Sequence, residues 1–143
     1  MRPVIAAAAM VILTGCGGSP ITAQRIERSI APTFANLLHL QVPAMGLPAM
    51  SPAEFAPGAS CRKVGAPGAA SSHSGSGDWI CTIQWRGPGQ RPFRDVYDLF
   101  VMTDGCYTAT VEGESLAKPV LTTKEGRDVR NLLYVFEGCF DTT

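Results

Sequence analysis

Two histidines, His39 and His73, and three aspartates, Asp95, Asp98 and Asp104, are the side chains best suited to moving protons in this chain of 143 residues. A general base must be fixed within hydrogen-bond reach of its proton. His39 closes an apolar-periodic segment, where the carbonyl end of a helix favours a cation. His73 lies in a Ser/Gly stretch that holds no side chain in place. Asp95 and Asp98, three apart on a strand, face opposite ways and read as surface or salt-bridge residues. Asp98 is the one foothold for catalysis, because its face also carries Val96, Phe100 and Met102. Met45 and Met50 repeat as "PAM" near His39, and thioethers suit copper(I); their Pro/Ala setting makes them packing or linker residues. Arg86, Arg91 and Arg94 gather at one turn, where they could touch anionic head groups or wall polymers, but a solvated turn is the preferred reading. The chain has no Cys-x-x-Cys, His-Glu-x-x-His, Gly-x-Ser-x-Gly, phosphate-binding glycine loop or dinucleotide fingerprint. The expectation is a protein that is not an enzyme, with no catalytic residue, cofactor or metal ligand to name.

Cysteine usage is more informative. There are five, an odd number, and Cys16 ends the apolar run "PVIAAAAMVILTG" that follows Arg2, the first charge in the chain. The run is shorter than the roughly 20 apolar residues a membrane-spanning helix takes. A basic start, a short apolar centre and small residues at the end describe a secretory signal peptide. Leu13-Thr14-Gly15-Cys16 resembles the lipobox of bacterial lipoproteins. The resemblance implies that residues 1–15 are a signal peptide removed by cleavage and that the thiol of Cys16 carries diacylglycerol with palmitate-type chains. Residues 16–20 are then a short tether, and the protein is lipid-anchored to the cell membrane on its extracytoplasmic face. Each buried lipid CH₂ contributes about 0.8 kcal/mol, so two or three chains make a stable anchor. The other four cysteines, in an oxidising compartment, read as two disulfides.

The bulk numbers set the class. The length suits one domain, here 21–143. Hydrophobic residues make up 45% and charged residues 17%, which is enough apolar surface for a core. Lys plus Arg equals Asp plus Glu, 12 against 12, so there is no basic footprint for nucleic acid.

The elements that must position any site follow from periodicity. In 21–40, Ile26, Ile30, Phe34, Leu37 and Leu38 make a helical stripe, with a kink or break expected at Pro32. Residues 42–60 read as a Pro/Ala/Gly connector containing one capping box, Ser51-Pro52-Ala53-Glu54. Residues 65–78 read as a flexible loop by composition. Alternation in 79–86 sends Trp79, Cys81, Ile83 and Trp85 one way and Thr82, Gln84 and Arg86 the other. Residues 95–103 and 106–112 are two further strands, separated from 79–86 by turn-rich 86–94 and from each other by Asp104-Gly105. The C-terminal 128–137 fits a helix or a strand, with an extended segment preferred. The predicted fold is α+β: an N-terminal amphipathic helix on an antiparallel β-meander of three or four strands, with two disulfides.

Register constrains the rest. A two-residue turn at Asp104-Gly105 would set Leu99 against Thr110 and Val101 against Thr108, mixing polar and apolar residues on both faces. A three-residue loop, 103–105, with a left-handed Gly105 shifts the register by one. It puts Tyr97, Leu99, Val101, Tyr107, Ala109 and Val111 on the tryptophan face. Cys81 and Cys106 then lie on opposite faces two strands apart, too far for a bridge. The preferred pairing is Cys61–Cys81 with Cys106–Cys139, and the alternative is Cys61–Cys106 with Cys81–Cys139. The helix should cover the tryptophan face, and the C-terminal segment should cover Phe100 and Met102 on the other.

The functional expectation is a membrane-anchored cell-envelope lipoprotein acting as a non-catalytic partner-binding module, its partner an unidentified envelope protein. The alternative is a carrier of a small apolar ligand held against Trp79, Trp85, Tyr97 and Tyr107. Beyond residue 16 the helix-then-sheet layout resembles small secreted domains of actinobacterial type, which carries no function.

Overall fold

The computed structural model describes residues 20–65, 73–113 and 116–143. The expected signal segment, Cys16 and the tether up to residue 19 lie outside the described residues, as do 66–72 of the expected loop.

Helix α1 (Ala23–Ala44) begins at Thr22, whose Oγ1 accepts the Arg25 N–H at 3.4 Å. Ile26, Ile30, Phe34, Leu38 and Val42 recur every four residues and are all buried on one stripe. The helix is not broken at Pro32. That residue is exposed, so the carbonyl it leaves without an N–H is on the solvent side, and Thr33 donates its hydroxyl to the Ser29 carbonyl at 2.9 Å. The helix also runs past the expected end at residue 40. It stops at Gly46, in left-handed conformation (φ 78°), where Gly46 N–H bonds the Pro43 carbonyl and Leu47 N–H the Val42 carbonyl.

The region expected to be a connector is more structured than its composition suggests. The capping box forms in part: the Ser51 N–H donates to Glu54 Oε2 at 2.6 Å, but it caps only a turn. Phe55 on that turn is fully buried, and Gly58–Lys63 form strand β1. Then follow β2 (Gly77–Arg86), β3 (Pro92–Val101), β4 (Cys106–Glu112), β5 (Val120–Thr122), β6 (Asp128–Arg130) and β7 (Val135–Cys139). The main sheet is antiparallel with order β1-β2-β3-β4-β7, and β5-β6 form a separate two-stranded sheet. The class is therefore α+β as expected, with a larger sheet than the three or four strands expected.

The β3–β4 register pairs Tyr97 with Val111, Leu99 with Ala109 and Val101 with Tyr107, and Gly105 has φ 85°. This is the bulged loop that the face pattern demands. Residues 128–137 are extended around a turn, without a helix. The expected cover for Phe100 and Met102 does not form: they are 57% and 42% exposed. The C-terminal segment instead pairs beside β4, because Cys106 and Cys139 are directly opposed and their bridge holds the chain in the plane of the sheet.

Both disulfides join directly opposed cross-strand residues, Cys61 with Cys81 and Cys106 with Cys139. The first is buried on the α1 face, and the second lies on the outer face with Cys139 exposed. Helix α1 engages both edges of the sheet. Glu27 Oε1 accepts the outward N–H of Cys61 on β1 at 2.8 Å, and the Ser29 hydroxyl donates to the outward carbonyl of Cys139 on β7 at 3.1 Å. Two residues apart on a helix is about 200° of rotation, so the sheet curls round α1 and reaches it from opposite flanks.

Candidate functional site

The four aromatic residues proposed as a ligand face are, for the most part, the core. Trp79, Tyr97 and Tyr107 are fully buried under α1. Phe34 stands edge-on to Tyr97 at 5.9 Å and to Trp85 at 5.8 Å, and Phe136 closes on Tyr97 at 5.3 Å. Their polar atoms are partnered inside the protein. Trp79 Nε1 donates to the Gly75 carbonyl (3.0 Å), Tyr97 Oη to the Leu133 carbonyl (2.9 Å), and Tyr107 Oη lies 3.1 Å from the Ser29 hydroxyl. Burial, then the negative charge of Asp95, pushes the Tyr97 hydroxyl well above the ordinary tyrosine value.

Trp85 is the exception. It sits at the far end of β2, only half-buried, stacked on Phe93 at 4.5 Å, with Phe55 edge-on at 6.4 Å. Its Nε1 donates to Asp95 Oδ2 at 2.6 Å. Asp95 was expected on the surface but is 7% exposed, because it shares the inward face with Tyr97 and Leu99.

Around this end lies a groove of about 400 Å³, lined by Ala56, Gly58, Gln84, Trp85, Arg86, Pro92, Phe93 and Arg94. Its size falls in the range of small-ligand sites. The register assembles it: Gly58 pairs with Gln84, Gln84 with Arg94, and Arg86 with Pro92, so Arg86 and Arg94 share the outer face with Gln84. Arg91 belongs to the same turn, where Arg86 Nη1 reaches the Gln90 carbonyl at 3.4 Å. Two residues other than glycine hold left-handed backbone here, Ala56 (φ 41°) in the groove wall and Gln90 (φ 59°) in the turn. Such strain concentrates at functional sites. A second, smaller groove of about 210 Å³ continues from Gly58 and Gln84 past Ser60 and Thr82. Together they make a trough on the outer face of β1, β2 and β3, cationic at one end and hydroxylated at the other, with Trp85 and Phe93, paired on the inner face, bordering its cationic end. The sequence shows the arginines and tryptophan. What it hides is Ala56 to Ser60, assigned by composition to a connector; only Cys61, needing a partner strand, signals otherwise.

The other candidates do not converge on chemistry. Asp98 is exposed on the outer face beside Glu112, whose carboxyl is raised above its ordinary value by a hydrogen bond with Asp98 and by that residue's charge. Neither histidine is part of this pair. His39 donates from Nδ1 to the Met50 carbonyl at 2.7 Å, tying the turn after α1 back to the helix, and His73 is exposed. Met50 packs against the core. Among the described residues, no group of three His, Cys, Asp or Glu side chains could hold a metal ion, and no helix is long and apolar enough to cross a membrane. No protein-family model, curated protein or solved structure matches the chain.

Proposed function

We infer that this chain is a lipid-anchored lipoprotein of the bacterial cell envelope whose folded domain binds a partner and performs no chemistry itself. The observation that carries the reading is the pair of disulfides, each joining directly opposed strands of one sheet. Such bridges persist outside the reducing cytoplasm. They leave Cys16, in Leu13-Thr14-Gly15-Cys16, as the fifth cysteine, available for lipid. The carrier reading loses ground because Trp79, Tyr97 and Tyr107 are packed against the helix and one another.

The test is metabolic labelling with an alkynyl fatty acid in the native cells, followed by intact mass measurement without reductant. The expected result is label on the wild-type chain and none on Cys16→Ser. The expected mass is that of residues 16–143 plus acyl chains, less four hydrogens. An unlabelled wild-type chain, or free thiols at Cys61, Cys81, Cys106 and Cys139, overturns the reading.

A further inference from the structure

Resting on the envelope reading, the location of the trough adds what the partner is. The chain enters α1 at Thr22, which bridges to Ser74 just ahead of β2. Strand β2 then runs ten residues from Gly77 to Arg86, roughly 30 Å at 3.3 Å per residue. Phe34, further along α1, packs at the Trp85 end. The groove holding Arg86 and Arg94 therefore lies at the far end of β2 from Thr22, where the chain enters α1.

We propose that the trough running from Arg86, Arg94 and Phe93 over Gly58 to Ser60 and Thr82 binds an anionic polysaccharide chain of the envelope. Three observations fit that chemistry together. Arg86 and Arg94 stand on one face at the end of paired strands, and guanidinium forks suit the carboxylate or phosphodiester oxygens such a chain carries. Phe93, 40% exposed and stacked on Trp85, belongs to the opposite side of the sheet from the two arginines but borders the groove at the strand end. A sugar ring reaching past that end can lie against it, its C–H bonds towards the negative π surface. Gln84, Thr82 and Ser60 then supply amide and hydroxyl groups along a track that continues past the charged end, as repeating hydroxylated units require. Gly58 keeps the track open: a Cβ there would meet nothing within 4 Å.

The full lipidated chain in detergent micelles is titrated with an oligogalacturonate, a neutral malto-oligosaccharide of equal length, inorganic phosphate, and phosphatidylglycerol vesicles. Tryptophan fluorescence reports the site, since Trp79 is buried and Trp85 lines the groove. The expected result is saturable binding of the oligogalacturonate that weakens with salt, with no response to the neutral sugar and much weaker binding of phosphate. The double variant R86A/R94A weakens it by about tenfold or more, while R25A/R28A, on α1 and away from the trough, leaves it unchanged. Gly58→Phe, which fills the track without a backbone clash, abolishes it with the thermal transition retained. Absence of saturable binding, equal loss in R25A/R28A, or preferential binding of the vesicles through Arg86 and Arg94 overturns the proposal. An overturned trough with Cys16 still labelled leaves the envelope reading intact, whereas loss of that label removes the setting but not the measured binding.

Discussion

Gly138 has no room for a side chain, because Tyr107, directly opposite it in the β4–β7 register, lays its ring across the glycine. A Cβ there would fall 2.5 Å from Tyr107 Cζ, so glycine is required by close approach, and its flanking strand position hides this in the sequence. Gly138→Ala is expected to lower stability by about 2 kcal/mol, the usual cost of overpacking, measured by denaturant titration with the disulfides intact. Gln90 is the converse case. Its positive φ suits glycine, so Gln90→Gly is expected to raise the melting temperature slightly, by less than about 1 kcal/mol of stability. Tyr97 gives a pH signature. Its hydroxyl stays protonated in the folded protein above the ordinary value of 10.0, where the unfolded chain has released its proton. This contribution is therefore complete below about pH 10 and is lost as the pH rises further. Tyr97→Phe should cost about 1 kcal/mol at neutral pH, through the lost bond to the Leu133 carbonyl, and should flatten the alkaline fall in stability. Rapid melts across pH 8–12 test both effects, and an equally steep alkaline limb in the variant would refute the assignment.

At the scale of elements, the two disulfides differ by face. Cys61–Cys81 is buried beneath α1 and Cys106–Cys139 is open on the outer face. Thiol–disulfide exchange needs access to sulfur, so mild reductant without denaturant should open Cys106–Cys139 first, as differential alkylation and peptide mass mapping would show. Simultaneous loss of both would refute the assignment. Elements with strong alternation were legible in the sequence: Trp79 to Trp85, Tyr97 to Val101 and Tyr107 to Val111 define one face, and that face alone selects the left-handed Gly105 loop. Strand β1 was not legible, since "GASCRK" has neither alternation nor β-branched residues and is made a strand by Cys61 pairing with Cys81. Phe55 was hidden for a related reason, as a single aromatic among prolines and alanines shows no period. Of the candidate trough, Arg86 and Arg94 were visible near one turn, but their alignment with Gly58 and Gln84 is a property of the register.

For the molecule as a whole, cross-links carry much of the stability. Loops of 20 and 33 residues closed by the bridges are worth roughly 3–4 kcal/mol each in the chain-entropy view, against a typical total of 5–15 kcal/mol. The fully reduced chain is therefore expected to lose its cooperative thermal transition and near-ultraviolet dichroism at 37 °C.

The two hydrogen bonds by which α1 engages the sheet edges have a mechanical meaning. Glu27 holds Cys61 and Ser29 holds Cys139, so both land on cysteines that are covalently joined to the next strand inward. Tension arriving through the segment before Ile21 enters at the start of α1 and divides between two load paths, one into β2 and one into β4. Neither edge strand can be peeled from its neighbour while its cross-link is closed. With both cross-links closed, yielding is expected to require α1 to slide lengthwise past the strands, loading its contacts together in shear. A domain pulled through its first helix is thus braced at the point where the load enters, and reducing Cys106–Cys139 would remove one brace and leave the other.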